Sequence, residues 1–311
     1  MNPLRRVLVL LSVLLLMMIG LTACGDDDGG GKSNDGSVKV TGTFGSEPKV
    51  AFKGEYKRTT TETTVLSEGD GDQVKVGDSV FANLYIANGF TGKQAASTWD
   101  EGSASLVKVS DDMLPGLKKA IDGQKVGSRV MVESTPKDAF GEAGNPNLFI
   151  DPSDSVVFVV DIVKVIPTSI DTSKATAPKG APKVVEKDGA VTGLTFTGKP
   201  AKITKLETIT LVKGTGPKAK KGSTLAVKYL GQVNGKKQVF DQNFTKGDPY
   251  SVTIGQGGTI QGWQEGLTGV TEGSRVILRI PSKLGYGKKG SAPKIKPGDD
   301  LVFVIDVLAV N

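Results

Sequence analysis

The sequence predicts an α+β protein built as two tandem copies of one unit, each an antiparallel β-sheet packed on a single short α-helix. Three observations carry this. Short motifs recur in the same order in both halves of the 311-residue chain. At several places apolar residues alternate with polar or small ones, as in half-buried strands. One stripe in each copy follows helical spacing instead.

The repeat comes first, because it sets the frame. Thr43, Phe44 and Pro48 recur as Thr195, Phe196 and Pro200. Leu66, Gly69 and Gly71 recur as Leu211, Gly214 and Gly216, and Val76-Gly77-Asp78 as Lys221-Gly222-Ser223. Gly127-Ser128-Arg129-Val130 returns as Gly273-Ser274-Arg275-Val276, and the segment from Ser155 to Asp161 as that from Asp300 to Asp306. From Gly77 to Asp161 the offset stays between 141 and 146, so the copies differ only by small loop changes. The copies are expected at residues 38–166 and 191–311. Residues 167–190 carry Pro167, Pro178 and Pro182 among Ser, Thr, Lys and Ala, and suggest a semi-extended linker.

In copy two Leu225, Val227 and Tyr229 alternate as a strand, and Asn234-Gly235 signals a hairpin because both residues tolerate positive φ. Lys237 to Asp241 and Tyr250 to Ile254 suggest further strands. Ile260, Trp263 and Leu267 share one face of a short helix. Arg275 to Ile280 alternates again, and Leu301 to Val310 is a strongly apolar last strand. In copy one Leu114, Leu117 and Ile121 repeat the helix stripe, with Asp111 or Asp112 as the expected N-cap. Val130, Val132, Phe158 and Val160 keep the strand pattern.

Composition excludes several chemistries. With no histidine there is no imidazole base, no His metal site and no Ser-His-Asp machinery. The single cysteine excludes an internal disulfide and a thiolate metal cluster. A net charge of +6 does not by itself imply nucleic acid, and none is expected as a partner. Gly193 to Lys199 fits most of a phosphate-binding loop, but Pro200 stands where Ser or Thr would hold Mg²⁺. Gly255-Gln256-Gly257-Gly258 lacks a following βαβ unit and suggests a turn.

The first 23 residues suggest a processing signal. Arg5 and Arg6 precede an apolar run from Val7 to Leu21, shorter than the roughly 20 residues a spanning helix needs. The run ends in Leu21-Thr22-Ala23-Cys24. This resembles a bacterial lipoprotein signal, in which the cysteine is acylated and becomes the mature N-terminus. An ordinary signal peptide or a short membrane anchor is the alternative. Removal of residues 1–23 lowers the net charge to +4. Residues 24–37, with Asp26 to Asp28 and Gly29 to Gly31, suggest a flexible tether. The expected location is therefore the outer face of the cell membrane, held by lipid on Cys24.

A more specific resemblance covers residues 206–310. It rests on Val227-Lys228-Tyr229-Leu230-Gly231, Phe240-Asp241, Pro249-Tyr250, Ile260-Gln261-Gly262-Trp263, Ile280-Pro281, Gly285-Tyr286-Gly287 and Leu301-Val302-Phe303. This stretch resembles the FKBP-type peptidyl-prolyl cis-trans isomerases. The resemblance implies a twisted sheet wrapped around the helix, rotation of Xaa-Pro bonds without a cofactor, and binding of proline-containing chains and of macrolide inhibitors. It also implies Trp263 as the pocket floor, with Tyr229, Phe240, Tyr250, Ile260, Ile295 and Phe303 as apolar lining. Asp241 and Tyr286 become the polar pair at the substrate carbonyls, and the Ile260 N–H the group that holds the bound chain. Ser291 stands where the family often has histidine, and Tyr250 where many members have Phe.

Copy one departs further. Leu84 stands for Tyr229, Leu117 for Trp263 and Phe140 for Tyr286, with Ala104 about where Tyr250 sits. Trp99-Asp100 stands for Phe240-Asp241, so the acid is expected to survive. The expectation is one competent isomerase domain after a degenerate one, which holds substrate or spaces the other from the membrane. A chaperone or adaptor that uses both pockets without catalysis is the alternative.

Overall fold

The computed structural model describes residues 36–311 apart from Lys199 and Lys246. The expected signal segment, Cys24 and all but the end of the tether lie outside the described residues. The described residues divide into two compact units, 36–77 with 83–99 and 109–162, and 78–82 with 100–108 and 163–311.

The first sheet follows a hairpin of β1 (Ser37–Thr41) and β2 (Lys49–Lys53). It comprises β3 (Glu62–Ser67), β4 (Ser79–Asn88), β5 (Lys93–Ser97), β6 (Ser105–Lys108), β7 (Arg129–Ser134) and β8 (Val156–Val165). Strand order is β3-β7-β8-β4-β5, and β6 also pairs with β4. Two helices interrupt it, α1 (Thr98–Glu101) and α2 (Pro115–Ile121).

The second sheet repeats this plan. A hairpin of β9 (Lys183–Lys187) and β10 (Ala190–Thr195) precedes β11 (Glu207–Val212), β12 (Thr224–Val233), β13 (Val239–Gln242), β14 (Tyr250–Thr253), α3 (Gln261–Leu267), β15 (Arg275–Ile280) and β16 (Leu301–Val310). The order is β11-β15-β16-β12-β13, with β14 also on β12. Every pairing in it is antiparallel.

The second sheet buries both faces, which explains why β16 is buried along its whole length and apolar apart from Asp306. One face packs Leu225, Val227, Leu278, Phe303 and Ile305 against Trp263 and Leu267 of α3. The other packs Leu230, Ile277, Val302 and Val304 under Val191 and Leu194 of the β9–β10 hairpin. The first unit does the same, with Val38, Val40, Val50 and Phe52 of its hairpin on Tyr85, Met131, Val157 and Val159. Beneath each hairpin lies a buried ion pair. Arg129 Nε donates to Asp161 at 2.6 Å, and Arg275 Nε to Asp306 at 2.6 Å. Glu186 of β9 also pairs with Arg275.

Three expectations need correction. The hairpins carry structure the sequence reading did not assign, and β9 lies inside the segment expected as linker. Asp188 and Gly189 both adopt positive φ, 53° and 77°, closing a two-residue turn between Lys187 and Ala190. The α2 N-cap is Leu114, with no side-chain cap, and Pro115 begins the helix. Asp111 instead meets Lys118 at 2.7 Å. At the Asn234-Gly235 turn only Gly235 has positive φ, 78°.

Candidate active site

The site is an aromatic cage on the α3 side of the second sheet. Four elements supply its rings: Tyr229 from β12, Phe240 from β13, Trp263 from α3 and Phe303 from β16. The Trp263 ring meets Tyr229 at 5.0 Å and Phe303 at 5.2 Å, both edge-on, and Phe303 meets Phe240 at 5.4 Å. Tyr250 closes one side, 5.8 Å from Tyr229 and 6.4 Å from Trp263. Edge-to-face contact sets each ring's positive rim on its neighbour's negative face, so the cage is held by its own geometry. Trp263 is buried, and its Nε1–H has no partner among the described residues.

Local backbone explains why these side chains converge. A bulge in the β12–β13 pairing, between Gly231 and Gln232, leaves Phe240 as the extra residue. Phe240 points into the core while Asp241 stays exposed at the mouth. Gly231 makes room for this, since a Cβ there would lie 2.6 Å from both the Phe240 and the Phe303 ring. Ile260 caps α3 with φ −63° and ψ 149°, and its N–H donates to no described residue. Ile295 is buried in the same cluster, after the segment that carries Tyr286.

The polar groups form a short chain at the mouth. The Tyr229 hydroxyl donates to Asp241 Oδ2 at 2.7 Å, and the Gln242 N–H donates to Asp241 Oδ1 at 2.9 Å. Burial, then the bond to Asp241, pushes the Tyr229 hydroxyl well above the ordinary tyrosine range. Burial and the nearby Asp241 charge raise Tyr286 as well. Its hydroxyl has no partner among the described residues, and the residue is 40% exposed. The mouth therefore offers a carboxylate and two donors, the Tyr286 hydroxyl and the Ile260 N–H.

All nine residues singled out in copy two thus come to one place. Sequence reading missed three that position them. Asn243 accepts the Tyr229 N–H at 2.7 Å and donates to the Val227 and Asp248 carbonyls, fixing the turn toward Tyr250. Gln264 accepts from Gly255 N–H at 2.6 Å and donates to Thr259, holding the glycine turn ahead of Ile260. Lys294 Nζ donates to the Phe240 carbonyl at 2.7 Å and ties the lysine-rich loop across β13. A polar residue beside Trp263 was the one visible hint for Gln264; the other two have no local signature.

Copy one is more degenerate than expected. Gly231 faces Asp241 across the second sheet, and its counterpart Ile86 faces Ala96. Asn243 accepts from the Tyr229 N–H, and likewise Thr98 from the Leu84 N–H at 3.0 Å. Ala95 and Ala96 therefore hold the positions of Phe240 and Asp241, and the acid is lost. Trp99 instead matches Phe244: Arg129 lies 5.8 Å from the Trp99 ring and Arg275 5.9 Å from that of Phe244. Asp100 follows it, away from the pocket position. Ser105 pairs with Ala82 as Tyr250 pairs with Val227, so Ser105 rather than Ala104 takes that place.

Known proteins point the same way. The family described as FKBP-type peptidyl-prolyl cis-trans isomerase matches residues 70–163 and 216–308. An FK506-binding protein of Neisseria meningitidis is 40% identical over 101 residues, 32% of this chain and 91% of that protein. Peptidyl-prolyl cis-trans isomerase FKBP15-2 of Arabidopsis thaliana is 44% identical over 93 residues, 30% of this chain. The match spans 56% of that relative's length. FkpA from Escherichia coli is a solved structure at 37% identity, covering 35% of this chain and 49% of that one, with a TM-score of 0.32. Two family matches over most of the described residues, on two sheets of one plan, make the chain a member of the FKBP-type peptidyl-prolyl cis-trans isomerase family.

Proposed function

We propose that residues 206–310 rotate Xaa-Pro peptide bonds of exported polypeptides, at the outer face of a membrane to which lipid on Cys24 holds the protein. The observation that carries the catalytic reading is the closed aromatic cage on Trp263 with Asp241 at its mouth. Rotation about the peptide C–N bond faces a barrier of about 18–20 kcal/mol. A rate gain of about 10⁵ requires about 7 kcal/mol of differential stabilisation. No nucleophile is needed. Planarity in water is favoured by hydrogen bonds to the polarised carbonyl. A cage lined by rings withholds those bonds, grips the proline ring and lets the preceding carbonyl turn. The Tyr286 hydroxyl and Ile260 N–H hold the flanking chain, so that only the one bond rotates.

The same cage suits a macrolide that carries a twisted proline-like amide, in keeping with the chain's similarity to the FK506-binding protein of Neisseria meningitidis. In the first unit the loss of the carboxylate, at Ala96, and of the floor ring, at Leu117, favours holding of client chains without catalysis.

A proline-limited peptide assay on the chain from Cys24 onward tests the activity. Asp241→Val and Trp263→Leu each lower kcat/KM at least tenfold with the far-ultraviolet dichroism unchanged; rates equal to the parent's would refute the assignment. Cys24→Ser tests the anchor, and acyl label still incorporated in that variant would end it.

A further inference from the structure

Phe149 is 85% exposed and Phe90 is 74% exposed, well beyond Val76 at 45%, the next most exposed large apolar side chain. Both belong to the first unit. Phe149 is also held at φ 55°, a left-handed conformation that a bulky residue rarely adopts. A bulky side chain gains nothing from such a geometry, yet the backbone secures it. Phe149 N–H donates to the Pro146 carbonyl, and Asn145 and Ile150 bond each other on either side.

One buried side chain joins the two phenylalanines. Asn88 is 2% exposed. Its Oδ1 accepts the Phe90 N–H at 2.8 Å, and its Nδ2 donates to the Phe149 carbonyl at 2.8 Å. Asp154 takes another Nδ2 proton at 2.8 Å. The rings are therefore presented from one rigid end of the unit, by backbone that the core pins. The second unit differs at these positions: the bridge Ser291–Ile295 matches Asn145–Ile150, so Lys294 stands for Phe149. Gly235 stands for Phe90, because β12 and β4 share a register. The catalytic copy carries a charge and a glycine where the degenerate copy carries two exposed rings.

The chain arrives at this same end. Gly36 N–H donates to the Glu55 carbonyl at 2.6 Å, and Arg58 donates to the Gly36 carbonyl at 3.0 Å. Arg58 lies 4.1 Å over the Tyr56 ring, and its N–H donates to Ser155 Oγ at 2.9 Å. Tyr56 and Ser155 in turn abut Gly89, whose N–H donates to the Ser155 carbonyl at 2.8 Å. Phe90 is the next residue. About a dozen residues separate Gly36 from Cys24, and a Gly-rich coil of that length has a root-mean-square span of roughly 20 Å. That is less than the diameter of a small domain, so a lipid on Cys24 keeps this end at the surface.

We infer that Phe90 and Phe149 insert into the headgroup–acyl boundary of the membrane and set the orientation of the first unit upon it. The inference rests on the anchored reading of Cys24. One acyl anchor alone leaves a tethered domain free to tumble; two pinned rings give it a membrane-facing side. Two rings bind weakly from solution, and the tether supplies the local concentration of about a millimolar that makes weak contact sufficient.

The test couples the chain from Cys24 onward through its one thiol to a maleimide-headed lipid in phosphatidylcholine vesicles, so the result does not depend on acylation in cells. No described element begins before Ser37, so the removed residues take no described strand or helix with them. Phe149→Trp and, separately, Phe90→Trp place a reporter at each site. The expected result is a blue shift of the added emission and its loss when brominated acyl chains replace ordinary ones. Emission from the native Trp99 and Trp263 is expected to stay the same in both. Added emission that neither shifts nor is quenched overturns the inference. So does a Phe90→Ser, Phe149→Ser double variant that loses binding to an unfolded chain in solution while the reporters remain unquenched, since the rings would then serve clients. Failure of acyl labelling at Cys24 in cells, with quenching intact on vesicles, removes the anchored reading alone.

Discussion

Gly231 shows how narrowly the cage is drawn. A Cβ at that position overlaps two of the four rings, 2.6 Å from each. Gly231→Val is therefore expected to push Phe240 and Phe303 apart and to lower kcat/KM on the order of a hundredfold, the cost of misplacing catalytic contacts by about 1 Å. Overpacking costs about 1–3 kcal/mol as well, so urea unfolding of the same variant checks that it remains folded at the assay temperature. Ionisation gives a second test. The chain has no histidine, and burial holds Tyr229 and Tyr286 neutral past their ordinary value of 10.0. Both hydroxyls thus keep their protons, and isomerase rate is expected to stay level from about pH 6 to 10. A decline centred near pH 9 would show that a tyrosine ionises early. The cage residues were legible through the motifs that resemble the family; periodicity set a face for Tyr229 and Trp263, whereas Phe240 takes its face from the bulge, and Tyr286 and Ile295 lie in a loop. Asn243 and Lys294 were not, since their partners are backbone atoms 16 and 54 residues away, at Val227 and Phe240.

Among elements, the loop between β15 and β16 sets the tone of the cage mouth. Lys283, Lys288, Lys289, Lys294 and Lys296 lie in it with no acid before Asp299, and Lys294 ties it to β13 beside Asp241. Peptides with a glutamate next to the proline are expected to turn over roughly fivefold faster than those with a glutamine, the effect of one unit charge at close range in water. Raising the salt should erase the difference, because screening acts within about 8–10 Å; equal rates at low salt would show the loop to be merely solvated. Strands β7, β8 and β12 to β16 and the two longer helices were readable from sequence pattern. The accessory hairpins were not, although Asp188-Gly189 carried a turn signal, because strands of five or six residues are too short for alternation to stand out from linker. The Trp99-Asp100 pairing failed for a different reason. It needs an offset of 141 where Gly77 and Gly222 fix 145, and a Trp-Asp string matched Phe-Asp in kind but not in register.

At the scale of the whole chain, the two copies differ at the cage. The second unit keeps the cage, while the first keeps its sheet, hairpin and buried Arg129–Asp161 pair without one. Three samples separate their roles: the chain from Cys24 onward, residues 167–311 and residues 24–166. On tetrapeptides the first two are expected to match and the third to show little catalysis. On a refolding reaction limited by proline isomerisation, residues 167–311 are expected to lag, since a linked holding unit raises local client concentration to about millimolar. Equal refolding rates for the first two samples would leave the first unit without a holding role.

The exchange of Gly231 for Ile86 has a bearing on how this duplication can run backward. Where Phe240 has become Ala95, the branched side chain of Ile86 stands in place of the glycine that gave the ring its room. Loss on one strand is met by bulk on the next. Introducing the acid alone, by Ala96→Asp, adds a carboxylate without the ring that would stand beside it. Restoring the ring alone, by Ala95→Phe, drives it into Ile86. Each reversal is unfavourable until the other is present, which is the sign of strong coupling between neighbours. Single substitutions are therefore not expected to rebuild the cage in the first unit.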